Sequence, residues 1–372
     1  MSSSPPIPYR PDVETFKDNE SETQREINET FDTILETTAH NYGHAVRSVH
    51  AKAHGLLVGE FSVLAGLPQE YAQGIFASPD SYTAYLRLST NAGDILPDAI
   101  ALPRGLALKV VGVEGERLPG AEGETQDFIM VNGDVFQAKD AEKFLSSLKM
   151  LAKTTDKMEG TKKFLSTVLQ GVNTALEAVG VSSPTVNSLG GAPNVDPLGE
   201  TYFSATAFRY GDYIAKFRVQ PVSHDLVELT DRKIDASDNE NAIRDTVRAE
   251  MQSIHGEWDF QVQLCRDLEK QPVEDATVAW KEADSPFVTV AKLTVHPQDS
   301  WSDENIQAIN EEMRFSVWTG VEAHRPLGNI NRVRKSAYQH SSDFRENFNR
   351  CPIHEPSPQG SQTVDSQPTN TL

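Results

Sequence analysis

The feature that most constrains this chain is a change of hydrophobic period. Between about residues 55 and 295 the sequence keeps offering short runs rich in β-branched and aromatic residues, each bounded by Gly, Pro or Asp. Such runs read as strands, and there are about eight: residues 55–64, 82–90, 106–113, 127–132, 201–209, 213–221, 257–264 and 287–295. Tyr210, Gly211 and Asp212 separate the fifth from the sixth and predict a hairpin there. So many strands leave edges that must be hidden, and closing an antiparallel sheet into a barrel hides them. Helical periodicity surrounds the strands. Ile27, Phe31 and Ile34 share a stripe over residues 22–38, and Phe164, Val168 and Val172 another over residues 160–179. Further helices are expected at 140–152, 239–254, 302–315 and 331–349. The expected fold class is α+β, an eight-stranded antiparallel β-barrel with inserted and C-terminal helices.

Length fits that expectation. With 372 residues, 38% of them hydrophobic, the chain can bury the core of one large domain or two modest ones. The division expected is a disordered Pro- and Ser-rich segment at 1–20, one folded domain at 21–350 with a helical insertion at about 140–180, and a disordered polar tail at 351–372. A formal net charge of −20 repels phosphate backbones and anionic lipid, which argues against nucleic-acid or membrane binding. No apolar run nears the roughly 20 residues that span a bilayer, and the first residues lack the pattern of a secretory signal. A cytoplasmic location is therefore expected. Two cysteines, Cys265 and Cys351, make neither a disulfide framework nor a Cys-based zinc site.

Three segments carry residues with chemistry. Arg47, His50, Lys52 and His54 lead directly into the first strand run. A histidine there can act as a general base, although a lone His is more often structural or surface-exposed. Arg87 and Ser89 lie two apart in the second run, so they share a strand face and offer an anion clamp beside a hydroxyl. An ordinary polar outer face competes with that reading. On the last helix, Arg334, Tyr338 and Arg345 stand at i, i+4 and i+11 and project together. A guanidinium one turn from a phenol stabilises the phenolate, an electron-rich ligand suited to ferric iron, and the second Arg could pair with a carboxylate. A basic helix face bearing an exposed tyrosine would give the same spacing.

Taken in order, these segments resemble the haem catalases. The match comprises Arg47, His50, Ala51 and Lys52; then Arg87, Ser89 and Thr90; then Asp98, Pro103, Arg104, Gly105, Ala107 and Lys109; and finally Arg334, Tyr338 and Arg345. It covers roughly residues 22–349, and residues 316–328 look more like the small, divergent catalase-related haemoproteins. The resemblance implies haem b as cofactor, with Tyr338 as proximal iron ligand, Arg334 keeping Tyr338 ionised, and His50 and Ser89 on the distal side. It assigns Arg47, Arg87 and Arg345 to the haem propionates and Phe136 to the distal pocket. The implied activity is peroxide consumption: a peroxidase with some catalase activity on hydrogen peroxide, using small organic reductants. An isomerase or dehydratase of fatty-acid hydroperoxides, a biosynthetic haem oxidoreductase and a non-catalytic haem-binding protein are the alternatives. Val49 before His50 is as in catalases, where the related allene oxide synthases have Thr.

Two departures from the family pattern stand out. By spacing from Phe128, Glu124 falls where the family has a distal Asn, and Gln126 is the neighbouring polar alternative. A carboxylate there would change both charge and peroxide geometry. Only 34 residues follow Tyr338, so a monomer or small homo-oligomer without an NADPH site is expected.

Overall fold

The computed structural model describes residues 4–152 and 194–358. Nine strands are present among the described residues: β1 (Ala53–Val63), β2 (Ser81–Thr90), β3 (Arg104–Val111), β4 (Thr125–Val131), β5 (Tyr202–Phe203), β6 (Phe208–Tyr210), β7 (Tyr213–Pro221), β8 (Gly256–Leu264) and β9 (Val288–Val295). All pairings are antiparallel. β9 joins β8 to β1, and the two residues of β5 bridge β4 (Val131 to Phe203) and β7 (Tyr202 to Val219). Eight strands therefore form a closed ring, and β6 hangs outside it on β7.

The expected strand at 201–209 is split into β5 and β6. Ala205 takes a left-handed backbone (φ 57°), and Ser204 and Thr206 bond each other across the bend. The expected hairpin remains, with Gly211 at φ 59° between β6 and β7.

Alternation along the strands fills the barrel. Leu86 and Leu88, Leu106 and Leu108, Phe128 and Met130, and Phe217 and Val219 point inward. At the centre the Phe260 ring lies 4.7 Å from Phe128, 5.3 Å from Phe61 and 5.5 Å from Phe76. His324 is enclosed in the same cluster, 5.5 Å from Phe76 and from Tyr210, and its Nε2 accepts the Ile75 N–H.

The described residues hold four helices of ten or more residues: α1 (Glu20–Tyr42), α2 (Ala141–Ala152), α3 (Ala242–Met251) and α4 (Asn329–Asn349). α1, α2 and α4 share a small core of Ile27, Phe31, Ile34, Leu145, Val333 and Ala337. α3 lays Ile243, Val247 and Met251 on the barrel, where any side chain at residue 55 would put Cβ 2.9 Å from Val247. The expected helix at 302–315 shrinks to one turn, Asp303–Asn305, followed by a π-helical turn, Ile306–Glu311. The expected helix at 160–179 lies outside the described residues.

Both expected disordered ends begin inside the fold. Ile7 N–H bonds the Cys265 carbonyl, Tyr9 N–H bonds that of Asp212, and Ile7, Tyr9 and Val13 pack by Cys265 and Trp280. At the other end, buried Glu355 accepts from Lys109, Thr125 and Arg314. Composition alone misses these segments because a few apolar residues and one carboxylate are enough to anchor them.

Removing the Phe260 ring leaves a void bordered by rigid aromatics. Phe260→Ala is expected to lower stability by about 3–5 kcal/mol, measured by urea unfolding with Phe348→Ala, an exposed position, as the reference.

Candidate active site

Residues on β2 that do not face the core face the opposite way. Arg87 and Ser89 thus lie on the outer surface of the barrel, in register with Ala107 and Gly105 of β3, which pair in turn with Ile129 and Val131 of β4. This surface is covered. Ala53, Leu56, Ile129, Tyr85 and Ala107 pack against Ile309, Met313, Phe315 and Val317, and Tyr338 of α4 joins the same cluster.

The loop that precedes β1 presents His50 to this surface. His50 has a left-handed backbone (φ 54°), a costly conformation for a non-glycine residue. It is braced on both sides: Arg87 Nη1 donates to the His50 carbonyl at 2.8 Å, Arg87 Nη2 to the Ala51 carbonyl at 3.1 Å, and Ala51 N–H to the Ala92 carbonyl. The imidazole Nδ1 lies 3.0 Å from Ser89 Oγ. Gly105 leaves room for it, since a Cβ there would stand 2.5 Å from the ring. Burial first, then Arg87, Arg334 and Arg47, pushes the His50 pKa down to about 3, so the ring is neutral at physiological pH.

Three guanidiniums converge beside this loop. Arg47 donates to the Asn310 and Met313 carbonyls, Arg345 to those of Asn310 and Glu311, and Arg87 Nε to Asn310 Oδ1 at 3.1 Å. Burial and then Arg345 lower the Arg87 pKa to about 9, and Arg47 is lowered by burial, Arg345 and Arg87. One carboxylate, Glu311, answers all three. Burial opposes its ionisation, but the His44 hydrogen bond and nearby Arg345 and Arg47 hold it below the ordinary range. With Arg87 and Arg345 buried, Arg47 partly buried and Glu311 the carboxylate that faces them, the cluster carries a surplus of positive charge, which suits a ligand carrying carboxylates.

On α4, Arg334 Nη2 donates to the Tyr338 hydroxyl oxygen at 3.2 Å, and its Nη1 is anchored on the buried Asn331. The i, i+4 spacing produces the contact that the sequence leads one to expect. The His50 loop is fastened to the same helix through Ser48 N–H to Ser341 Oγ, and Val49 packs on the apolar cluster to which α4 contributes Val333 and Ala337.

A sequence model of the catalase family, described as Catalase, matches residues 32–369. The chain belongs to the catalase family. Solved catalases share its fold: a fungal catalase (16% identity, TM-score 0.60, covering 86% of this chain), catalase A from Saccharomyces cerevisiae (16%, 0.58, 90%) and a bacterial catalase (17%, 0.57, 91%). This chain spans 64%, 71% and 67% of their respective lengths. A comparison with curated proteins finds no match. Catalase-family proteins bind haem, and the residues here fit such a group: an apolar surface, a tyrosine whose oxygen could ligate iron and an arginine cluster that could pair with two propionates.

The catalase-derived site residues do not all meet. His50, Ser89, Arg47, Arg87 and Arg345 are linked through direct contacts with the His50 loop and Asn310, and Tyr338 and Arg334 share the covering helix. Glu124 is a correction. It is exposed in the turn before β4, with its carbonyl accepting from Gly112 and Val113. That is one full strand, about 20 Å, from the row Ser89, Gly105, Val131. Gln126 is also removed from His50: it is buried with its Oε1 on Val321 N–H. Spacing from Phe128 counted residues correctly but not the direction in which the strand runs. The Phe136 ring lies 5.7 Å from that of Phe144, tilted by 52°, and Phe144 and Val49 pack on the same helix cluster.

Asn310 and Glu311 were missed, and no sequence signal marked them, because the π-helical turn that aims them looked like ordinary helix. Lys52 and Asp98, which the sequence offers only as separate motif residues, form a buried pair at 2.7 Å behind the loop.

Three histidines are held neutral, chiefly by burial: His50 and His324 with pKa values near 3, and His54 well below its usual value. In the unfolded chain each binds a proton as the pH falls through about 6.5. The stability they contribute is complete above that pH and is lost as it falls toward 3. Below about pH 6 the expected slope is up to about 4 kcal/mol per pH unit for three protons, which urea unfolding at pH 7 and pH 5.5 measures. His324→Gln is expected to reduce the slope by one proton.

Proposed function

We propose that this catalase-family protein is a haem b enzyme of the cytoplasm that consumes hydrogen peroxide, as a peroxidase with some catalase activity. The observation that carries the proposal is the surplus of positive charge from Arg47, Arg87 and Arg345 on the barrel surface that also presents a neutral His50. In this reading Arg47, Arg87 and Arg345 hold the propionates, Tyr338 ligates the iron and Phe136 shields the pocket. Bound haem supplies a redox-active iron able to split the O–O bond.

The protein residues move the proton. Ser89 Oγ donates weakly to the Gly105 carbonyl at 3.5 Å, so it can accept Nδ1–H from His50 and leave Nε2 as the free base. His50 Nε2 takes a proton from one peroxide oxygen and returns it to the other, which leaves as water. Its depressed pKa keeps this base available from neutral pH down into the acid range. Arg334, donating to the Tyr338 hydroxyl oxygen, would hold that oxygen in place as an iron ligand.

Tyr338→Phe is expected to lose haem content and shift the visible spectrum; unchanged haem and spectrum would refute the ligand. His50→Ala is expected to retain haem while peroxide turnover falls by about 10²–10⁴-fold. The deciding experiment mixes the haem-loaded protein with hydrogen peroxide and, separately, with a fatty-acid hydroperoxide. Oxygen release or donor oxidation with hydrogen peroxide is the expected result. A rearranged lipid without oxygen would make the protein a hydroperoxide isomerase, and no turnover of either would leave a haem-binding protein.

A further inference from the structure

On the barrel surface where β8 begins and β9 ends, two histidines face each other. Gly256 pairs with Val295, so His255 and His296, one residue beyond each, form a cross-strand pair. Both are exposed. Their Nδ1 atoms are 3.1 Å apart, and their ring centroids are 4.7 Å apart at an interplanar angle of 62°.

The backbone under this pair is unusually well held for a surface turn. Gln298 clamps it to β1 by accepting Val58 N–H at 2.9 Å and donating to the Val58 carbonyl at 2.7 Å, and its Nε2 also reaches the His296 carbonyl at 3.1 Å. Gln298 N–H bonds the Met251 carbonyl at the end of α3, and Ile254 N–H bonds that of Glu250. At Gly256 a Cβ would sit 2.6 Å from the Trp258 ring, so the chain must pass close to that ring before it reaches His255.

We propose that His255 and His296 form a two-histidine chelate for a divalent transition-metal ion of the imidazole-binding class, such as zinc. Two Zn–N bonds of about 2.0–2.1 Å at a tetrahedral angle place their nitrogens about 3.3 Å apart, close to the separation found. Neutral imidazole suits zinc, copper and nickel. In the metal-free pair one ring donates Nδ1–H to the other. On binding, that proton is carried on Nε2 instead, which frees both Nδ1 lone pairs for the ion. Among the described residues no group of three or more His, Cys, Asp or Glu is placed to hold a metal ion, so water fills the remaining positions. The net charge of −20 favours cation approach. The site is independent of the haem reading.

The test is calorimetric titration of zinc chloride into the haem-loaded protein, purified without a histidine tag. His255→Asn, His296→Asn and, as control, His40→Asn at an exposed position elsewhere are compared, with circular dichroism confirming that each is folded. The expected result is one zinc per chain in the wild type and in His40→Asn, with affinity at least about tenfold weaker in the other two. X-ray absorption should show two imidazole nitrogens at about 2.0 Å from zinc. No zinc uptake by the wild type, unchanged affinity in both site variants, or a shell of oxygens alone would overturn the proposal.

Discussion

Everything in this molecule depends on closing the sheet. Eight strands alternate inward and outward side chains, and the ring closes through β5, only two residues long, which reaches β4 on one side and β7 on the other. Closure turns one face of every strand into a dry interior of aromatic and aliphatic groups, with Phe260 near its centre. It also turns the other face into a continuous outer wall. The candidate site lies on that wall rather than inside the barrel, because period-two alternation sends Arg87 and Ser89 outward whenever Leu86 and Leu88 point in.

The outer wall tolerates buried charge because other segments close over it. Arg47, Arg87 and Arg345 come from a loop, a strand and a helix far apart in sequence, yet all bond to the π-helical turn around Asn310. Carbonyl oxygens satisfy their hydrogen bonds without cancelling their charge, which leaves a positive surplus beside the neutral His50. Burial acts in one direction on all of these groups: it lowers the pKa of each guanidinium and of the imidazole alike. A site with such electrostatics is prepared for an anionic ligand and a base that does not need to be deprotonated first.

Much of the fold was legible in the strand runs. Seven of the eight expected runs overlap single observed strands, since β-branched alternation bounded by turn residues is a local signal. The run at 201–209 broke into two because Ala205 bends back to let Thr206 bond Asn331 on α4, a tertiary demand. The 302–315 segment became a π-helical turn for a similar reason, as Arg47 and Arg345 take its carbonyls and Arg87 takes the Asn310 side-chain oxygen. At the site, Arg334 with Tyr338 and Arg87 with Ser89 were readable from spacing, because a helix turn and a strand pleat are local geometry. Glu124 was misread, because a residue count along β4 says nothing about which end of the strand meets His50.

The sequence by itself determined the strands, the main helices and which arginines, histidine, serine and tyrosine are candidates for the site, all by short-range periodicity and side-chain chemistry. Only the tertiary structure decided which of them meet. Strand register put Gly105 beneath His50, burial made three histidines neutral, and the packing of α4 on the wall brought Tyr338 into the same apolar cluster as the outward face of β1 to β4. Those outcomes depend on contacts between residues up to about 290 positions apart, for which no local pattern carries the information.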